Sequence, residues 1–189
     1  MKQESVTRYV LRISLTLLLI AAAVAAALAL VNKITKPVIE RADAEKTQQA
    51  IAQVLPGGYD TQITDFADPS GLVSKVYQGK NGYAVEVLPI GFDSALTMMV
   101  GVAPDGTVLK ICVVSHTETA GLGAVAASAS SAGTAFRQQF EGTAGNVQVK
   151  KDGGTIDAIT GATVTSRAVC SGVNAAVDCV LALSQGGAA

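Results

Sequence analysis

The sequence predicts an α+β domain behind a single apolar helix, and three observations carry that expectation. Twenty uncharged residues run from Ile13 to Asn32 between Arg12 and Lys33. Runs of strand-forming residues are joined by short Gly/Asn and Pro-Asp-Gly segments, the mark of hairpins and hence of an antiparallel sheet. Near the end of the chain Val169, Val173, Val177 and Val180 recur at helical spacing. Hairpin-joined strands with helices around them make an α+β fold rather than alternating βαβ units.

The apolar run comes first. A twenty-residue helix is about 30 Å long, the thickness of a bilayer's hydrocarbon core. Residues 13–32 are therefore expected to form a transmembrane helix, with residues 1–12 as a short N-terminal segment. A cleavable signal peptide is the alternative, since Lys2, Arg8 and Arg12 are basic and Ala25, Ala26 and Ala27 are small. The run exceeds the usual apolar stretch of about 7–15 residues in such signals, which favours the anchor. Basic residues flank both sides, with Lys33, Lys36, Arg41 and Lys46 following, so charge alone leaves the orientation open.

Residues 33–58 read as a stalk. Pro37 suits the first turn of a second helix, and Val38, Ala42, Ile51, Val54 and Leu55 fall near one face. Pro56, Gly57 and Gly58 end it. Residues 59–189 form the folded domain, opening on a polar loop over 59–71. Strands are expected at 72–78 and 83–88, joined through Gly79 to Gly82, and at 96–102 and 108–114, joined through Pro104, Asp105 and Gly106. A helix is expected over 124–140, a strand over 146–151 and a final helix over 165–183.

A net charge of −1, 4% aromatic residues and no tryptophan leave neither a basic stripe for phosphates nor a stacking platform, which excludes nucleic acid as a partner. Cys112, Cys170 and Cys179 form no CxxC pair and are read as small buried hydrophobes. His116 is the only histidine, so a multi-histidine metal site is excluded. Beside a strand end it is expected to be a hydrogen-bonded structural residue.

The densest chemistry lies between Asp157 and Ser166, where Thr160, Thr163, Thr165 and Ser166 crowd around Gly161 just before the last helix. A helix N-terminus offers unpaired N–H groups and partial positive charge, a natural phosphate site. Gly161 lets the backbone turn or approach closely there. On the residues alone, the rival reading is that Thr165 or Ser166 caps the helix.

Asp157, Thr160, Gly161, Ala162 and Thr163 match, position for position, the pattern that a magnesium-dependent flavin transferase recognises, in which FAD is cleaved and FMN is joined to the final threonine by a phosphoester bond. A second match lies upstream: His116, Glu118, Thr119, Gly121, Leu122 and Gly123 resemble a signature of the G subunit of the Rnf complex and of the related C subunit of the sodium-pumping NADH:quinone reductase. Ala120 departs from it, standing where the family has proline, and leaves that loop less constrained. Gly82 with Tyr83, and Gly91 with Phe92, resemble the family's short glycine–aromatic signposts. The compact length favours the Rnf relative over the longer quinone-reductase one.

The resemblance implies an FMN-binding domain with FMN covalently held on Thr163, Asp157 serving the modification, and Thr160, Gly161, Ala162, Thr165, Ser166, Glu118, Thr119 and Leu122 around the cofactor. Leu122 is expected to pack on the ring, and Glu118 and Thr119 to stand near its pyrimidine edge. It further implies an electron relay among the membrane subunits of a complex coupling ferredoxin:NAD electron transfer to sodium or proton transport. The N-terminus would be cytoplasmic and the domain extracytoplasmic, and catalysis would belong to the complex. Two other readings remain: a free-standing extracytoplasmic flavoprotein, and a membrane-anchored module in which the threonines only cap a helix.

Overall fold

A computed structural model describes residues 3–186, with side-chain surroundings from residue 8 onward. Lys2, counted above among the basic residues, and residues 187–189 of the domain lie outside them. The chain divides into two compact units, residues 1–45 and 46–189.

Helix α1 spans Gln3–Val54. In the first unit its apolar side chains, among them Leu17, Leu18, Ile20, Leu28 and Val31, are exposed. The helix is long and apolar enough to cross a membrane. The second helix expected to start at Pro37 does not exist as a separate element, because Pro37 lies inside α1. Proline there removes one backbone hydrogen bond, a cost of about 3 kcal/mol. The β-branched residues beside it, Ile34, Thr35, Val38 and Ile39, are weak helix formers. Stronger ones lie a turn or more away, at Ala27, Leu28, Ala29 and Leu30 and at Ala44, Glu45 and Lys46, and the exposed i,i+4 pair of Lys36 and Glu40 (3.7 Å) adds about 0.2–0.5 kcal/mol.

The second unit is built on a five-stranded antiparallel meander: β1 (Thr61–Ile63), β2 (Val73–Gly79), β3 (Gly82–Val87), β4 (Thr97–Val102) and β5 (Val108–Ser115), in that spatial order. Both expected hairpins form. Gly79 pairs with Gly82 across the β2–β3 turn. Between β4 and β5, Gly106 N–H donates to Ala103 O (2.9 Å) with Gly106 at φ +87°, a type I turn closed by a left-handed glycine. Strand β1 falls in the stretch read as loop. Its three residues have no apolar alternation, and pairing with residues 76–78 alone makes them a strand.

Strand alternation gives the sheet two apolar faces. On one, Val76, Val85, Val87, Met98, Val100 and Ile111 pack against helix α3 (Thr163–Ser184) through Val169, Val173, Val177 and Val180. On the other, Tyr77, Ala84 and Met99 pack with Ala50, Ile51, Val54 and Leu55 at the end of α1. The close approach has a cause in sequence: a Cβ at Gly101 would overlap Val54 O.

Two expected elements differ. Residues 124–140 are not one helix but a 3₁₀ turn, Gly123–Ala127, followed by α2 (Ser131–Gln138). Ser130 caps α2 by accepting from Gly133 N (3.2 Å), and Arg137 Nη1 donates to Ala126 O (2.7 Å) and Ser128 O (2.9 Å). Those caps satisfy the backbone at the break better than a continuous helix through Ser128 and Ser130 would. Residues 146–151 are not a strand. The Asn174 side-chain amide takes the place of a neighbouring strand at Val147, accepting from its N–H (2.8 Å) and donating to its carbonyl (3.0 Å). Lys150–Asp152 then form a 3₁₀ turn.

Cys170 and Cys179 are buried, as expected, and burial pushes both thiols up to about 11. Cys112 is only half-buried, because β5 turns it toward the α1 side, where Sγ donates to Gln53 Oε1 (3.3 Å). His116 Nδ1 is buried without a partner among the described residues, so the expected hydrogen bond is absent at that atom.

Candidate functional site

A cavity of about 300 Å³ opens where three segments meet: the β3–β4 loop at Phe92, the loop after β5 at Glu118, Thr119, Leu122 and Gly123, and the first turn of α3. Its volume lies at the small end of ligand sites. Phe92, Leu122 and Val164 leave apolar surface exposed around it. Lys151 also lines the cavity, and its Nζ donates to Thr163 Oγ1 (3.3 Å).

Thr163 is the first residue of α3, and Ala162 stands at the cap position, where no side chain caps the helix. The helix therefore presents its first-turn N–H groups uncapped by protein side chains beside the Thr163 hydroxyl. The capping expected of Thr165 or Ser166 does not occur. Thr165 is buried and donates from Oγ1 to Glu118 Oε2 (2.6 Å). Ser166 faces backward, accepting from Ile159 N (3.0 Å) and donating to Ala162 O (2.9 Å). Those bonds hold the turn before the helix, where Gly161 sits at φ +76°, a left-handed conformation that favours glycine. A Cβ at Gly161 would press on Leu122 Cδ2 at 2.9 Å.

Of the residues anticipated from sequence, Glu118, Thr119, Leu122, Gly161, Ala162, Thr163 and Thr165 line this cavity together. Asp157 and Thr160 do not. They line a neighbouring cavity of about 570 Å³ with Gly121, Phe136 and Gln139. There the Gln139 amide brackets the Asp157 backbone (2.7 and 3.2 Å), while the Asp157 carboxylate accepts from Lys150 Nζ (2.7 Å). Ser166 lines neither cavity and acts on the site through the backbone. Lys151 and Val164 were not anticipated as walls of the site, and Gly123 and Phe92 stood out only as parts of short signatures.

Electrostatically, the entry to α3 is lined by paired charges. Arg167 holds Asp152 through two hydrogen bonds (2.7 and 2.6 Å), and that guanidinium keeps the Asp152 carboxyl below the usual range. Lys151 differs in pointing at a hydroxyl instead of a carboxylate. Among the described residues no cluster of His, Cys, Asp and Glu could hold a metal ion.

The site's two halves, an apolar slot and a helix start with a cation beside it, are those of a ligand with a flat apolar body and an anionic end. Comparison with known proteins agrees. The FMN-binding domain family matches residues 91–178, and the RnfG N-terminal region matches residues 1–54. The G subunit of the Na(+)-translocating ferredoxin:NAD(+) oxidoreductase complex of Acetobacterium woodii is 30% identical over 94% of this chain and 95% of its own length. The chain belongs to the RnfG family. The G subunit of an ion-translocating oxidoreductase complex from Pseudomonas aeruginosa is 35% identical, covering 90% of this chain and 88% of its own. Its counterpart in the proton-translocating ferredoxin:NAD(+) oxidoreductase complex of Clostridium ljungdahlii is 40% identical over 55% of this chain and 56% of its own. As a member of the RnfG family, the chain is one component of a multi-subunit, Rnf-type ion-translocating complex, and its FMN-binding domain includes every residue of the 300 Å³ cavity.

Proposed function

We propose that Thr163 carries FMN through a phosphoester bond and that the chain relays electrons between other subunits of an Rnf-type complex. The observation that carries this reading is the position of the Thr163 hydroxyl. It stands at an uncapped helix start, next to Lys151 Nζ, at the foot of an apolar slot. A phosphodiester formed there keeps one negative charge, which the helix terminus favours by about 0.3–1 kcal/mol and Lys151 favours further. Phe92, Leu122 and Val164 offer apolar surface to a flat ring system, and Gly161 keeps the floor clear of a side chain. FMN, when bound, supplies one- and two-electron transfer. The chain's own residues bind and orient it, and Asp157, outside the slot, is left to serve the attachment.

In this reading residues 13–32 of α1 cross the membrane, residues 1–12 stay in the cytoplasm, and the stalk of residues 33–58, whose last turns pack on the sheet, leads into an extracytoplasmic domain at 59–189. Anchoring raises the effective concentration of the flavin at its partner subunits. The complex couples ferredoxin:NAD electron transfer to sodium or proton translocation, as the names of the Acetobacterium and Clostridium relatives describe for theirs.

The test is a denaturing gel viewed under ultraviolet light, using chain produced together with the flavin transferase. The wild-type band is expected to fluoresce and the Thr163→Ala band to be dark. A dark wild-type band would overturn the covalent reading. Copurification with the other membrane subunits then separates a relay component from a free-standing flavoprotein.

A further inference from the structure

Glu118 is 7% exposed, and both of its carboxylate oxygens are already engaged. Oε1 accepts from Phe92 N (2.8 Å) and, at longer range, from Asp93 N (3.4 Å), while Oε2 accepts from Thr165 Oγ1 (2.6 Å). These donors are two backbone N–H groups and a hydroxyl, not a lysine or arginine. They lie 26 and 25 residues away on one side and 47 on the other, so one side chain ties the β3–β4 loop to the first turn of α3. The packing around it leaves no slack. A Cβ on Gly91 would overlap Oε1, and one on Gly123 would overlap Oε2.

We propose that Glu118 is a positioning residue, a staple that fixes Phe92 and the start of α3 at the separation the flavin slot requires. The proposal rests on the flavin reading above and replaces the expectation that Glu118 itself reads the pyrimidine edge of the ring. Both oxygens accept from the protein, and through those bonds Glu118 acts on the ring by way of Phe92 on one side and Thr165 on the other. The two glycines are explained by the same geometry: they make room for a carboxylate between two segments that would otherwise meet side chain to side chain. The staple's geometry is built from hydrogen bonds that a neutral group of the same shape also makes, although a charged acceptor makes them about twice as strong. A glutamine of the same shape accepts from Phe92 N through Oε1 and donates from Nε2 to the Thr165 hydroxyl, so it keeps the staple without the charge. Alanine removes it.

The experiment uses the full-length chain in detergent, as Glu118→Gln and Glu118→Ala, in two backgrounds. In Thr163→Ala protein, which attaches no flavin, amide hydrogen exchange is read at Phe92 and Asp93. Glu118→Ala is expected to speed exchange at Phe92 by about tenfold to a hundredfold, the strength of a hydrogen bond to a charged acceptor. Glu118→Gln is expected to fall between the two, with exchange about threefold to tenfold faster than the parent and slower than in Glu118→Ala. In flavin-bearing protein, Glu118→Ala is expected to lower the fluorescence anisotropy of the ring toward that of a freely swinging tether, and Glu118→Gln to preserve it. Unchanged exchange and anisotropy in Glu118→Ala overturn the proposal. So does a Glu118→Gln anisotropy that falls as far as that of alanine, since charge and not position would then hold the ring. If Glu118→Ala does not fold, Gly91→Ala presses a methyl onto Oε1, with Leu96 Cδ1 as its next neighbour, and faster Phe92 exchange is again expected, unchanged exchange again refuting. Should the wild-type chain show no fluorescent band on a denaturing gel, the flavin reading fails by itself while the exchange result still decides the staple.

Discussion

Replacing Thr165 by valine tests the buried bond on which the site's shape depends. Valine copies the outline of threonine but cannot donate to Glu118 Oε2, which accepts from Thr165 Oγ1 at 2.6 Å. Thr165 is 1% exposed and Glu118 7%, so water does not readily replace the lost donor. A hydrogen bond to a charged acceptor contributes about 1.5–3 kcal/mol, and the extra methyl returns up to about 1 kcal/mol of it. The expected net loss is about 1–2 kcal/mol. For a unit of about 140 residues each kcal/mol lowers Tm by roughly 3 °C, so the melt should fall by about 3–6 °C. Circular dichroism of the full chain in detergent reads this directly. A double-mutant cycle with Glu118→Ala should show the two losses to be non-additive by about 1 kcal/mol or more, because both remove one bond. A Thr165→Val melt at the wild-type temperature, or losses that simply add, would mean that the bond does not hold the site together.

Two further outcomes follow from the charges and thiols. Cys170 and Cys179, with thiols pushed up to about 11 by burial, should resist alkylation in the native chain at neutral pH and react once it is denatured; fast native labelling at either would contradict their burial. The Asp152 carboxyl is held down by its hydrogen bonds and ion pair with Arg167. A depressed carboxyl lends stability that is fully present above its ordinary value near ~4 and is lost as pH falls through the folded value. The difference in melting between wild type and Asp152→Asn should therefore be largest near neutral pH and shrink below about pH 4, with a pH-independent difference counting against the pair.

Much of the fold is written locally. The turns at Gly79–Gly82 and at Pro104, Asp105 and Gly106 are made by residues whose backbone preferences need no distant partner, and both hairpins form where expected. The last helix starts within two residues of its expected place because its valines keep one helical period. What failed was settled by side-chain hydrogen bonds that no helix or strand period records. Val147 looks like a strand residue, yet the side chain of Asn174 takes the place of the neighbouring strand. The alanine-rich stretch after Gly123 looks like one helix, yet Arg137 folds back onto Ala126 and Ser128 and splits it. The site divides the same way. Thr163 and its neighbours were legible as a motif, whereas Lys151 and Phe92 reach the cavity from segments whose approach no local pattern records. Asp157 and Thr160 belong to the same motif but face a different cavity, a separation set by the turn at Gly161.

Everything proposed for the site turns on a bond to one atom, the Thr163 hydroxyl oxygen. Mass spectrometry of the proteolysed chain, matured with the flavin transferase present, measures it most directly. The peptide containing Thr163 is expected to carry the mass of one FMN less one water, with fragmentation placing it on Thr163 and on neither Thr160 nor Thr165. An unmodified peptide, or flavin found on another residue, would contradict the account.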